Sequence, residues 1–155
     1  MDDKREFMRH ALATLAYRAA RALNGAPDDF AEFNGCGRTP GQIVAHMGDL
    51  FDWCLSIAQG NQRWNNSVAL PWAEEKQRFF AALTAFDEYL AGPEPVHAEL
   101  EGLFQGPVAD AINHVGQLAM MRRLAGYKIP GENFYLAEIK AGQAGADQPA
   151  PVKTF

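Results

Sequence analysis

The chain has 155 residues, 48% apolar and 21% charged, with a formal net charge of −5. That length suits one domain, spanning 1–155, with its own core and no need of disulfide staples, and the acidic balance gives no electrostatic reason to expect nucleic acid or an anionic membrane as partner. No apolar run approaches the roughly 20 residues of a membrane span, the opening Met-Asp-Asp-Lys-Arg-Glu is unlike a signal peptide, and Cys36 and Cys54 form neither a metal-type pair nor a disulfide framework; the expected location is the cytoplasm.

Residues 4–23 read as a first helix. Phe7, Met8, Ala11, Leu12, Leu15, Ala19, Ala22 and Leu23 make its apolar stripe, and Asn24-Gly25-Ala26-Pro27 ends it. His10 lies one step off that stripe and reads as a surface histidine. A loop over residues 28–38 holds Cys36 between glycines, an accessible thiol with no histidine placed by sequence to activate it. Thr39-Pro40-Gly41-Gln42 then has the signature of a helix start: Thr39 as cap, Pro40 in the first turn, Gln42 completing a capping box. The second helix runs to about Gly60, with Ile43, His46, Met47, Leu50, Trp53, Cys54 and Ile57 on its inward face. His46 interrupts an otherwise apolar stripe, with Asp49 and Trp53 within reach, and Cys54 on the same face reads as a small buried hydrophobe.

Residues 62–70 form a polar connector. Pro71 opens a third helix, striped by Trp72, Phe79, Phe80, Leu83, Phe86 and Leu90 and stopped by Gly92-Pro93. Residues 94–105 read as a linker in which His97 faces solvent. The fourth helix is expected over 106–126, with Pro107 in its first turn and Gly126 just past its end. Ala111, His114, Leu118, Met121 and Ala125 share one face of it, and Asp110 lies four residues before His114, Gln117 three after. The Gly- and Pro-rich residues 127–155 form a short C-terminal extension. A piece near 134–139 is expected to pack back on the helices, and the last dozen residues to be loosely held. Four amphipathic helices in one domain argue for an all-α four-helix bundle, and the long links permit at least one crossover connection.

A stripe that carries a carboxylate, an imidazole and an amide needs partners for them. Residues four apart on a helix lie one above the other, so Asp110 and His114 can reach one ion, and His46 from the second helix can complete a set of two imidazoles and a carboxylate for zinc, nickel, iron or manganese with positions left open. Spacing alone leaves a second reading standing, in which Asp110 is a buried carboxylate paired with a protonated histidine or with Arg122. Asp49, Asn113 and Gln117 are candidates for supporting the ligands or orienting a substrate. Gly116, Ala111, Ala119 and Ala125 would allow close helix approach, within the bundle or across a homodimer.

Two motifs carry a resemblance. His114-Val115-Gly116-Gln117 followed by Arg122-Arg123 and Gly126 resembles the last-helix signature of the DinB/YfiT superfamily, and Thr39-Pro40-Gly41-Gln42-Ile43-Val44-Ala45-His46-Met47 resembles its second-helix signature. The likeness spans residues 4–126, and Gly131-Glu132-Asn133-Phe134 is similar to a segment of one branch. It implies a four-helix bundle of unusual connectivity holding a divalent metal with a histidine triad, one histidine from the second helix and two from a His-x-x-x-His on the last. His46 and His114 match two of these. The third falls on Asp110, which departs from the pattern and would make the set two histidines and one carboxylate. The resemblance further implies thiol-dependent transfer or isomerisation on a small electrophile, with a low-molecular-weight thiol as cosubstrate, and pairing into homodimers. Beside it stand a non-catalytic metal- or ligand-binding bundle with a stress-related role, and a bundle that has kept the fold and lost the metal.

Overall fold

The computed structural model describes residues 2–155. Its helices are α1 (Asp3–Leu23), α2 (Pro40–Ala58), α3 (Trp72–Ala91), the single turn α4 (Leu100–Leu103) and α5 (Ala109–Leu124), with short 3-10 segments at Asp28–Glu32 and Phe134–Leu136. Among the described residues there is no strand, and the one β-type pairing is an isolated antiparallel bridge between Glu132 and Thr154. No helix is long and apolar enough to cross a membrane.

The four long helices enclose one core. Leu12, Leu15, Leu23, Ile43, Met47, Phe51, Phe79, Leu83, Phe86 and Leu118 are fully buried in it. Neighbours run α1–α3, α3–α2, α2–α5 and α5–α1, which closes a ring. Helices consecutive in the chain are therefore neighbours only at α2–α3. The link from α1 to α2 crosses to the opposite corner, and so does the route from α3 to α5. Phe7 departs from the expected α1 stripe: it is 73% exposed, because the stripe drifts around the helix and the core at that end is met by Met8 instead.

The predicted caps form. Thr39 Oγ1 accepts from the Gln42 N–H at 3.2 Å and the Gln42 side chain accepts from the Thr39 N–H at 3.0 Å, a complete capping box. At the end of α5 the Gly126 N–H donates to Arg123 O at 3.2 Å and the Tyr127 N–H to Arg122 O at 2.8 Å, the paired bonds of a Schellman motif. Gly126 sits at φ +90°, with open space where a Cβ would point. Gly126→Ala thus meets backbone strain and no clash, and is expected to lower the unfolding free energy by about 1–2 kcal/mol, measurable by urea denaturation.

The start of the last helix differs from the expectation. Helical backbone begins at Leu100 within the supposed linker, and Pro107 lies inside the run, in a π-helical segment over Phe104–Val108. Proline cannot donate to the ladder, and its ring would strike the carbonyl four residues back in a regular helix; a widened turn removes that conflict. The first-turn rule for proline is correct as a preference but does not distinguish a start from a bulge. The wide turn also sets the rotation at which α5 begins, one residue ahead of Asp110.

Arg122 is a buried cation at the other end of α5. Its Nη1 donates to the carbonyls of Arg21 at 3.2 Å, Ala22 at 3.1 Å and Asn24 at 2.8 Å, and its Nε to Tyr127 O at 3.1 Å. It closes the C-terminus of α1, where unpaired carbonyls and the negative end of the helix dipole both favour a cation. Burial pulls its pKa below the ordinary arginine value.

The C-terminal extension returns to α1. Phe134 meets Tyr17 edge-on at 6.2 Å and lies under the Arg18 guanidinium at 3.6 Å. The buried Glu132 carboxylate accepts from Tyr17 Oη and from Arg21 Nε; burial, then the bond to Glu132, pushes the Tyr17 pKa up. The last residues are not loose. The Asn133 N–H donates to Lys153 O at 3.0 Å and the Phe155 N–H to Gly131 O at 3.0 Å, tying the terminus to the segment that packs on α1.

Candidate metal centre

His46 comes from α2, and Asp110 and His114 from one face of the neighbouring α5. Their side chains converge: His46 Nε2 lies 3.2 Å from Asp110 Oδ2, and His114 Nε2 lies 3.5 Å from Asp110 Oδ1. The two imidazole rings are 5.0 Å apart between centroids and perpendicular at 89°. One donor atom from each residue can be chosen so that all three lie within 4.8 Å of one another. A tetrahedral ion with bonds of about 2.0–2.1 Å holds its ligand atoms about 3.4 Å apart; each imidazole lies at about that distance from a different Asp110 oxygen, and the set could hold a metal ion.

Gln117 supplies the next constraint. Its amide oxygen lies 2.7 Å from His114 Nδ1. With the amide oxygen on that side, which only accepts, Nδ1 is assigned as the donor, and Nε2 is the nitrogen presented to Asp110. An unprotonated Nε2 facing a carboxylate oxygen sets lone pair against lone pair. That arrangement suits a cation between them, and fixing the tautomer from the far ring nitrogen is how ligand histidines are held in metal sites.

The centre sits at the edge of the helix ring. Side-chain exposure rises from 11% at His114 through 26% at His46 to 46% at Asp110, so the cluster has a dry side and a side open to solvent. The other sequence candidates fall in different places. Asn113 and Gln117 are exposed along the outer edge of α5. Asp49 is buried, and its oxygens are engaged by the Ser67 N–H at 2.8 Å, the Ser67 hydroxyl at 2.6 Å and the Arg78 guanidinium; its bonds run to the connector and α3. Although burial opposes it, the bonds to Asp49 and Glu75 hold the Arg78 pKa above its ordinary value. Arg122, the alternative partner for Asp110, is committed to the α1 carbonyls. Gly116 has open space around the position of a Cβ and makes no close helix approach within the chain. Cys54 is buried, which pushes its thiol pKa up, and Cys36 is exposed with its sulfur 3.8 Å from Met121 Sδ.

One residue escaped the sequence reading. Trp64, in the polar connector, sets its ring edge-on to His46 at 5.8 Å and to Trp53 at 5.6 Å. Its only signal was being a large aromatic in a stretch of asparagine, glutamine and arginine. No family model, curated protein or solved structure matches this chain.

Proposed function

We propose that the protein is a divalent-metal-dependent enzyme of the DinB/YfiT type, with His46, Asp110 and His114 as the metal ligands. The observation that carries the reading is the convergence of three donor atoms from two helices within 4.8 Å, with His114 Nε2 and an Asp110 oxygen apposed. The two diagonal links around the helix ring support the unusual bundle connectivity that the sequence resemblance implies. Zinc, nickel, iron and manganese all accept two imidazoles and a carboxylate.

When bound, a divalent ion supplies Lewis acidity on the solvent-open side, lowering the pKa of a low-molecular-weight thiol so that a thiolate meets a small electrophile. The protein's own groups have separate tasks. Gln117 holds the His114 ring in its ligating tautomer, Asp110 contributes the one negative charge among the ligands, and Asn113, exposed on α5 one residue before His114, is the candidate for orienting a substrate group. On the same resemblance the protein pairs with a second copy of itself, and it acts in the cytoplasm.

The test is turnover of a thiol with a small electrophile such as a halogenated nitrobenzene, using protein supplied with zinc, nickel, iron(II) or manganese. Metal-dependent product formation that disappears in His46→Ala is expected. Stoichiometric metal binding with no turnover for any thiol tried would remove the transferase reading and favour the non-catalytic binding bundle. A second reading, a structural pair, rests on the same 3.2 and 3.5 Å separations, with a proton in place of the metal; it requires that the protein take up no metal at all.

A further inference from the structure

We propose that residues 61–70 are a strap that seats the Trp64 indole against His46, and that Trp64 thereby selects ligands with a flat apolar group next to their metal-binding atom. This deepens the metal reading of the same centre and rests on it.

All ten residues of the strap are exposed and none has regular secondary structure. A segment of that kind has little packing to hold it, yet three buried side chains fasten it. Ser56 Oγ, on α2, accepts from the Arg63 N–H at 2.9 Å. Asp49, one side of α2, takes both the N–H and the hydroxyl of Ser67. Glu75, on α3, accepts from the Leu70 N–H at 2.7 Å. These anchors are 2%, 3% and 0% exposed, and Arg78 joins the two carboxylates through bonds to each. Burying two carboxylates beside a partly exposed cation is a poor route to stability, because apolar residues of similar volume serve as well or better. What the network adds is a single conformation for the connector.

Trp64 lies between the first and second anchors. Its Nε1 donates to Asn66 Oδ1 at 3.0 Å within the strap, which fixes the ring from its own loop. The result is a row of rings in edge-to-face contact, Trp53 to Trp64 to His46 to His114. Trp64 keeps 43% of its surface exposed. A molecule reaching the triad from solvent beside His46 therefore meets an indole already held in place, and a flat apolar group gains there without any ordering of the loop.

The experiment uses the full chain loaded with cobalt(II), whose visible absorption reports ligands entering its coordination sphere, titrated with imidazole and with 4-phenylimidazole. The ratio of the two dissociation constants is expected to favour 4-phenylimidazole about fivefold more in the wild type than in Trp64→Ala. Asp49→Asn, and the milder Ser67→Ala, which leaves the ion pairs intact, should each diminish that preference although Trp64 is retained. An unchanged ratio in Trp64→Ala overturns the selecting role while leaving the triad standing. A preference untouched by both anchor variants overturns the strap. Protein that develops no cobalt bands overturns the metal reading, and this inference with it.

Discussion

Arg122→Met is expected to destabilise the protein by about 2–4 kcal/mol, with a fall in melting temperature of roughly 6–12 °C for a chain of this size. The substitution keeps most of the apolar stem and removes every donor. Three carbonyls at the end of α1 and the carbonyl of Tyr127 then lose their partner together. The contact with Ala22 O is buried and the other three are partly buried, and the desolvation penalty of a carbonyl left unpaired grows with its burial, exceeding the net value of the lost bond where burial is complete. One effect runs the other way, since Met avoids the cost of burying a guanidinium that, among the described residues, has no carboxylate within salt-bridge distance. The number of orphaned acceptors, and their position at the negative end of α1, decide the sign. Arg122→Lys should fall between the two, because one ammonium cannot span carbonyls from residues 21 to 24 and Tyr127 at once. A urea midpoint unchanged in Arg122→Met would show that water or neighbouring donors satisfy those carbonyls.

The second large effect is on metal affinity. His114→Ala is expected to weaken binding of zinc or nickel at least about a hundredfold, since even losing a group that merely orients a ligand costs ten- to a hundredfold. His114 is the least exposed of the three candidate ligands, and its ring is the one contacted from behind by Gln117. Gln117→Ala should leave a site of intermediate affinity, because Nε2 survives while the tautomer is no longer held. The pair of variants separates a ligand from its support. In calorimetric titration of metal into protein, equal affinities for wild type and His114→Ala would remove His114 from the site.

Local signals carried much of this architecture. The Thr39 box and the Gly126 stop were legible because caps are set by residues within five positions of each other, and α2 and α5 were legible from their stripes. The centre was legible for a related reason: His46 and the Asp110/His114 pair each broke an apolar face, and two broken faces in one small core have few places to be other than opposite each other. What stayed hidden depends on distant contacts. The spacing of Asp49 from His46 put it near the centre, but its partners are Ser67 and Arg78, and nothing in the order of residues says that a connector will fold back to meet it. The same fold-back brings Trp64 to His46. Pro107 obeyed a local rule whose two outcomes, a helix start or a wide turn, look alike in sequence, and residues 153–155 found backbone partners at 131–133 that no periodicity announces.

The most direct test of the central claim is elemental analysis of untagged protein, as purified and after equilibration with excess zinc, nickel, iron(II) or manganese followed by removal of free metal. Close to one divalent ion per chain is expected in the wild type and none retained in His114→Ala. Wild-type protein that retains no metal under any of these conditions would contradict that expectation, and would leave Asp110 as a carboxylate sharing a proton with two histidines.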